Sequence, residues 1–414
     1  MESKENRWFL LGIVLTIGLT CGLAYAFSVF IQPLEKEFGW DRRQISMAFT
    51  LYFVIGTVGT TFCGDLIAKF GIKITAMIGG TLAALGLFMA SYTNSLWMLY
   101  VSYGALTGVG LGLVTITPMS VLMPWFPDKK GLISGLTTMA LAFGTFFLGA
   151  KLAGSFVVSY GWSATFKILA AILFIVVLGG AQFFKVPPAG YRPPNWTPPA
   201  GQQIGQWGFT RGEMMKTKAC WLICLWIVCV QTCGMMIISQ LVSLVTDRGI
   251  SLENALLCLS VFAITNGLGR LFFALLCDKV GRVPSMTLDS VFMGLGMLGL
   301  IYLKGLGLSG VMLSLVCIAM AYGGVFSQFP LLASNFFGPK HFPKNFGFYF
   351  IPGGLISSFL GPYVATTAQV KTGSYDPALF VAVGLCVMAT IVALTLKAPQ
   401  RLPEATPGPA PAEG

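Results

Sequence analysis

Charged side chains are scarce in this sequence. Asp, Glu, Lys and Arg together make up 10% of the 414 residues, and there is a single histidine. A typical soluble protein has roughly 25% charged residues, so the composition excludes a soluble enzyme of ordinary type. Hydrophobic residues make up 55% of the chain. This balance indicates a protein that lies largely within a membrane.

The hydrophobic residues are gathered into long segments. About 20 apolar residues form one transmembrane helix, so each segment is long enough to cross a bilayer once. We therefore predict an all-α membrane protein with twelve transmembrane helices. The predicted spans are residues 8–31, 45–64, 74–92, 97–121, 131–154, 164–184, 219–243, 252–276, 285–303, 309–332, 345–368 and 376–396.

The largest break between spans divides them six and six. Six prolines fall between positions 187 and 199, and a Pro-rich run of this kind acts as a semi-rigid spacer. The tail is rich in Pro, Ala, Gly and Glu, a composition that favours disorder. We predict a six-helix bundle at 1–185, a cytoplasmic linker at 186–218, a second six-helix bundle at 219–397 and a disordered cytoplasmic tail at 398–414.

The basic residues are distributed unevenly between the two sides of the predicted membrane. The net charge is +11, which in a soluble domain would suggest nucleic-acid binding. If the N-terminus is cytoplasmic, most Lys and Arg residues fall in cytoplasmic segments, as the positive-inside rule requires. This placement accounts for the charge without nucleic acid, and it predicts a multi-pass protein with both termini in the cytoplasm and its surface in contact with lipid.

The sequence has few groups that could form a catalytic or metal site. Cys220, Cys224, Cys229 and Cys233 share one helical stretch, but structural zinc sites use loop spacings and commonly histidine. We expect these cysteines to act as small packing residues. Neither a Ser/His/Asp arrangement nor a metal cluster is apparent. We predict that the protein is not an enzyme and needs no cofactor or metal; a membrane-bound enzyme or sensor is the least favoured alternative.

Arg270 is the only residue of formal charge deep inside any predicted span. It lies eight residues before Asp278, about 12 Å along a helix, and half of the apolar membrane core is about 15 Å. A charge at that depth is costly and indicates function, and its guanidinium matches a carboxylate. We predict that Arg270 binds a small organic anion. The alternative is an arginine that extends to the cytoplasmic headgroups.

Four further side chains are candidates for the same site. Asn266 lies one helical turn before Arg270, where its amide can orient the guanidinium or bond a substrate hydroxyl. Tyr322 and Phe326 are one turn apart in span ten, and Tyr25 is central in span one. Tyrosine offers a hydroxyl group and an apolar wall. For each of them, ordinary helix packing is the alternative.

Two short segments occupy equivalent positions in the two halves. Residues 64–73 and 274–282 each form a turn with a glycine flanked by cations. They resemble the loop 2–3 signature of the major facilitator superfamily, G-x-L-A-D-K/R-x-G-R/K-R/K. The resemblance implies the major facilitator fold, alternating access, and a latch on the cytoplasmic side. The residues carried over to this latch are Asp65, Lys69, Gly71, Asp278, Lys279, Gly281 and Arg282; the first copy departs from the pattern at Ala68, where the family has Asp.

A second resemblance is narrower. Residues 125–135, W-F-P-D-K-K-G-L-I-S-G, are similar to the corresponding run of oxalate/formate antiporters and monocarboxylate transporters, and residues 161–166 and 345–347 also resemble that group. The resemblance implies a carboxylate-binding arginine at position 270, location in a bacterial inner membrane, and proton-linked transport. Exchange of one anion for another is the alternative. We expect the protein to function as a monomer.

Two departures from that group bear on the substrate and on coupling. The antiporter has a lysine in span eleven, but residues 345–369 contain neither Lys nor Arg. One buried cation neutralises one carboxylate, so a monoanion such as lactate, pyruvate or acetate is favoured over oxalate. Asp65, Asp128, Glu253, Asp278 and Asp289 are expected near loop ends, with no acid inside a span. The residues alone therefore leave open whether a proton accompanies the anion.

Overall fold

The computed structural model describes residues 3–22, 27–145, 152–188, 191–193 and 207–399, and helices make up most of these residues. The regular elements within these residues are all helical. Their bounds in the first half are α1 Ser3–Gly22, α2 Ser28–Phe38, α3 Arg42–Phe70, α4 Ile72–Ala90, α5 Leu96–Leu99, the π-helical segment Tyr100–Thr107, α6 Gly108–Trp125, α7 Lys130–Phe143 and α8 Gly154–Ala181.

The second half contains a corresponding series of helices. A short helix precedes it within the predicted linker. The bounds are α9 Arg211–Met215, α10 Lys218–Thr246, α11 Leu252–Val280, α12 Arg282–Tyr302, the 3₁₀ turn Lys304–Leu306, α13 Gly307–Phe337, α14 Phe342–Phe348, the π-helical segment Pro352–Ser357, α15 Ser358–Thr372 and α16 Asp376–Thr395.

The long helices match the predicted membrane spans. Among the described residues, ten helical stretches are long and apolar enough to cross a membrane, and Arg7–Gly22 and Lys130–Phe143 are shorter apolar helices at the first and fifth predicted positions. The predicted all-α architecture is thereby confirmed for the described residues. The predicted tail, apart from residues 398–399, lies outside the described residues.

The predicted repeat has a matching backbone conformation. Gly71, between α3 and α4, has φ 80° and ψ 163°, and Gly281, between α11 and α12, has φ 87° and ψ 177°. Positive φ values of this kind are accessible to glycine and strained for other residues. The same tight turn therefore joins the second and third long helices of each half.

Small residues bring the helices of each half close together. A methyl group added at Gly110 of α6 would collide with the backbone of α4 at Ala83, and one added at Gly269 of α11 would collide with α13 at Met320. Lipid tails are as apolar as the side chains of a membrane helix, so no hydrophobic effect drives two such helices together. They associate instead through close contacts of this kind. The contact between α11 and α13 fixes the helices that carry Arg270 and Tyr322.

The two halves meet at one end of the molecule. This end, called the linker face below, carries the turns at residues 65–73, 126–130, 278–282 and 338–344. Here Gly131 of α7 lies against Ala274 of α11, and Gly64 of α3 lies against Lys344 of α14. The inter-helix packing at the linker face leaves a cavity between the halves, farther along the bundle.

Candidate functional site

A cavity of about 650 Å³ lies between the two halves. Its walls come from α1, α3, α6 and α7 on one side and from α10, α11, α13 and residues 346–358 on the other. The lining extends from Met119 and Phe329 to Phe49 and Leu259, which lie in the ends of α3 and α11 remote from the linker face. The walls are mostly apolar, with hydroxyl and amide groups at intervals.

Among the described residues that line this cavity, Arg270 is the only Asp, Glu, Lys or Arg. The side chain is half-buried, and its Nη1 donates a hydrogen bond of 2.8 Å to the Thr138 carbonyl on α7. Its guanidinium carbon lies 4.9 Å from the centre of the Phe326 ring. The cation is therefore held between the two halves and presented to the cavity, rather than extended toward the membrane surface.

Asn266 shares the cavity wall with Arg270. Its Oδ1 accepts a hydrogen bond of 3.4 Å from Arg270 Nε, as the one-turn spacing predicts. Its Nδ2 is buried and has no hydrogen-bond partner among the residues that the structure describes. An amide nitrogen buried without a partner carries a desolvation cost of about 1–3 kcal/mol, which a bound acceptor would remove. The pair can thus offer cationic and neutral donors side by side.

Two of the three predicted aromatic residues also line the cavity. Tyr322 is 6% exposed, and its ring centre lies 5.4 Å from that of Phe326 and 6.3 Å from that of Phe262. These contacts build an apolar wall beside the guanidinium. The third predicted aromatic, Tyr25, lies outside the described residues.

Polar groups that sequence reasoning missed complete the lining. Gln231 on α10 and Thr137 on α7 are both buried, and within the described residues Gln231 Oε1 and Thr137 Oγ1 have no hydrogen-bond partner. Thr57 on α3 also lines the cavity. An amide isolated in an apolar helix was the available signal for Gln231. Threonines give no such signal, because their hydroxyl groups commonly bond to the backbone within their own helix.

Asp65 forms ion pairs across the linker face. Its carboxylate lies 3.0 Å from Lys344 Nζ and 3.1 Å from Arg211 Nη1. Arg211, in the predicted linker, also donates to the carbonyl of Thr61 at 2.7 Å. The first half is therefore joined both to the second half and to the segment that precedes it.

Asp278 lies at the same end of the second half, although Ala68 rather than Asp65 is its counterpart in the repeat. Its Oδ2 accepts a 2.8 Å hydrogen bond from the backbone N–H of Gly131, at the start of α7. Beside it, Lys130 Nζ donates to Ser334 Oγ at 3.1 Å. An acid from each half therefore binds the opposite half at the linker face.

The remaining predicted latch residues have other contacts. Arg282 Nη1 donates to the Asn335 carbonyl at 2.9 Å, within its own half. Lys69 lies 5.1 Å from the Phe70 ring centre, and Lys279 is exposed. Gly71 and Gly281 form the two tight turns.

One expectation about acidic residues is wrong. Asp289 is the eighth residue of α12 and is completely buried. Its Oδ2 accepts a hydrogen bond from Gln328 Nε2 on α13. The prediction failed because the distance of a residue from a loop along the sequence does not show which way its side chain points. An acid does lie inside the second bundle.

The cysteines are packing residues, as predicted. All ten are free thiols, and nine of them are buried. In the part of the chain that the structure describes, no three His, Cys, Asp or Glu side chains form a group that could hold a metal ion.

The sequence is similar to those of known membrane transporters. A model of the Major Facilitator Superfamily matches residues 13–362. The chain is 28% identical over 378 residues to the oxalate:formate antiporter of Oxalobacter formigenes, covering 87% of this chain and 85% of that protein. It is 30% identical over 184 residues to mouse monocarboxylate transporter 6, covering 44% of this chain and 39% of that protein.

A solved structure shares the fold. The transporter FucP in the outward conformation superposes with a TM-score of 0.74 at 14% sequence identity, covering 95% of this chain and all of that chain. At this level of identity the likeness concerns the arrangement of helices and not the substrate.

Proposed function

This chain belongs to the major facilitator superfamily, and from that premise we propose that it carries small monocarboxylates of the lactate or pyruvate type across the membrane, together with a proton. The observation that carries the proposal is Arg270. Of the described residues in the wall of this mainly apolar cavity between the halves, it is the single cation, and beside it lies an amide donor with no partner among those residues. A guanidinium binds a carboxylate through paired hydrogen bonds.

The charge of the cavity supports a monoanion. Arg270 compensates one carboxylate, and a second carboxylate in this lining would lack a cation, which is costly once water is excluded. The aromatic wall formed by Tyr322 and Phe326 suits a short apolar substituent. The buried donors and acceptors of Asn266, Thr137 and Gln231 suit a hydroxyl or keto group. A 2-hydroxy or 2-oxo monocarboxylate combines these features.

The relatives support the same class of substrate. One is named an oxalate:formate antiporter and another a monocarboxylate transporter. Both names describe small carboxylates, and the first describes exchange. Exchange of one monoanion for another is therefore the second candidate function for this chain.

Transport would proceed by rocking of the two six-helix bundles about the cavity. The hydrogen bonds and ion pairs of Asp65 and Asp278 hold the halves together at the linker face. Breaking them would open a path from the cavity to that face, as alternating access requires. The residues of this latch need no contact with the substrate.

The orientation follows from charge. Basic residues at 340 and 344, together with those near 69, 130 and 279, lie at the linker face. From the positive-inside rule we infer that this face is cytoplasmic, with both termini on the same side. We propose a multi-pass protein of the bacterial inner membrane that functions as a monomer.

Uptake of labelled L-lactate into proteoliposomes tests the proposal. The liposomes would contain no substrate, and uptake would be compared with and without an acid-outside pH gradient. Accumulation driven by the gradient, inhibited by pyruvate and not by oxalate, is the expected result. Uptake that requires preloaded unlabelled anion would establish exchange instead. Inhibition by oxalate as strong as by pyruvate would contradict the charge argument.

A further inference from the structure

Asp289 and Gln328 form an isolated polar pair in the interior of the second half. Both side chains are completely buried, and Gln328 Nε2 donates to Asp289 Oδ2. The other oxygen of each side chain, Asp289 Oδ1 and Gln328 Oε1, is buried with no hydrogen-bond partner in the described part of the chain. Two buried acceptors on bonded neighbours therefore lack a donor.

One proton would remove this deficit. An ionised carboxylate in an apolar interior is costly unless it is paired with a cation. The neighbours of Asp289 include the Phe273 ring on α11, Gly324 on α13 and the titratable thiol of Cys386 on α16. A proton on Asp289 Oδ1 supplies an O–H donor for Gln328 Oε1. The acid and the amide then satisfy each other through two hydrogen bonds.

We propose that Asp289 and Gln328 are a proton-binding site, and that its occupancy couples proton movement to anion transport. The coupling rests on the proposed function of the carrier; the binding of a proton does not. The described residues that line the cavity include no acid, so the proton and the anion would occupy separate sites.

Helix α13 connects the two sites. The chain at Gly323 lies against the backbone of Asn266 and Arg270, and the next residue, Gly324, lies against Phe273 and the Asp289 carboxylate. Any side chain at these two positions would hold α13 away from its neighbours. The close approach places the proton site behind the helix that carries Tyr322 on the cavity wall. A shift of α13 would therefore change the packing contacts at both sites.

Charge compensation gives the coupling its sign. With a monoanion on Arg270 and a proton on Asp289, the charged groups of the two sites sum to zero. When both ligands leave, the ionised carboxylate of Asp289 offsets the guanidinium, and the sum is again zero. Movement of a bundle with one ligand alone would carry an uncompensated charge through a low-dielectric region, which is unfavourable.

The proton step itself is simple to balance. A hydronium ion transfers H⁺ to Asp289 Oδ1, which forms an O–H bond and leaves water. At the opposite face that O–H bond breaks and water receives the proton. Ser134 Oγ of the first half donates to the carbonyl of Ser327, the neighbour of Gln328. This bond must break when the halves separate at the linker face, which is where we place the exit.

Asp289→Asn is the informative variant, because its amide mimics the protonated acid in shape and hydrogen bonding. Glu253→Gln, at the exposed start of α11, is the matched control. In proteoliposomes, Asp289→Asn is expected to lose accumulation driven by an acid-outside gradient while it still exchanges labelled for unlabelled lactate. The control should do both. Gradient-driven accumulation by Asp289→Asn equal to that of the unmodified protein would overturn the coupling.

Infrared difference spectra between neutral and alkaline pH test proton binding without any transport. The unmodified protein and Glu253→Gln should lose a protonated-carboxyl band that Asp289→Asn never shows. Identical spectra for all three proteins would refute the site. If the unmodified protein transports no monocarboxylate, the proposed function and the coupling fail, yet the infrared result still decides whether Asp289 binds a proton. If Asp289→Asn loses exchange as well, the coupling as proposed is wrong.

Discussion

Replacement of Arg270 by glutamine is expected to abolish carboxylate uptake with little effect on folding. Glutamine keeps hydrogen-bonding capacity and much of the length of the side chain, but it has no charge. In the structure the guanidinium contacts the Thr138 carbonyl, Asn266 and the Phe326 ring. These contacts position the cation, and the half-buried side chain contributes modestly to packing.

The size of the effect follows from the charge pair that is lost. Truncating one partner of a buried, hydrogen-bonded charge pair costs about 2–5 kcal/mol or more, much of it from leaving the other charge unpaired. At about 1.4 kcal/mol per tenfold, this corresponds to roughly a 30-fold to several-thousand-fold loss of affinity for the anion. The affinity of Arg270→Lys for the anion should fall between those of the unmodified protein and Arg270→Gln, because lysine keeps the charge but loses the planar fork that matches a carboxylate.

The assay compares initial rates of labelled L-lactate uptake over a range of substrate concentrations, with the thermal unfolding temperature as a check on folding. Arg43→Gln is the matched control, because Arg43 is exposed in the first turn of α3. The control should retain normal rates. Normal uptake by Arg270→Gln, at a normal unfolding temperature, would refute the assignment of this arginine as the carboxylate ligand.

Other residues give further expectations. Phe326→Ala removes a cation–π contact worth about 0.5–2 kcal/mol, so the lactate concentration for half-maximal uptake should rise. Phe326→Leu, which keeps most of the packing, should show the same rise if only the contact with the charge matters. An unchanged concentration in both variants would exclude a role for the ring. Asp65→Asn loses ion pairs worth about 0.2–1 kcal/mol each, so amide hydrogen exchange at the linker face should accelerate. Gly234→Ala places a methyl group against the Tyr322 ring and should lower the unfolding temperature and uptake, at a packing cost of about 1–3 kcal/mol. Gly179→Ala, which has open space, should change neither.

The sequence predicted the helices and the central cation well. Hydrophobicity over about 20 residues is a property of a continuous segment, so it can be recognised without knowledge of any neighbour. Arg270 and Asn266 are one turn apart on the same helix, and their contact needs only helical geometry. The isolation of one charge in an apolar run likewise required no three-dimensional information.

The sequence did not predict the contacts between distant parts of the chain. The partners of Asp65 lie 146 and 279 positions away, at Arg211 and Lys344, and the first of these belongs to a segment predicted to be only a spacer. Asp289 occupies a position near a loop along the sequence and is nevertheless buried against Gln328. Gln231 reaches the cavity from a helix whose apolar composition concealed its orientation.

The difference between the features that the sequence predicted and those that it did not has a physical cause. Transfer of apolar residues into a membrane is decided segment by segment, and the sequence by itself therefore determined where the apolar helices lie along the chain, their order and the position of Arg270 within one of them. Which polar side chains face one another depends on how close the helices pack, and in this protein glycines such as Gly323 and Gly324 set that approach. Only the tertiary structure decided the cavity lining, the contacts between the halves at the linker face and the burial of Asp289.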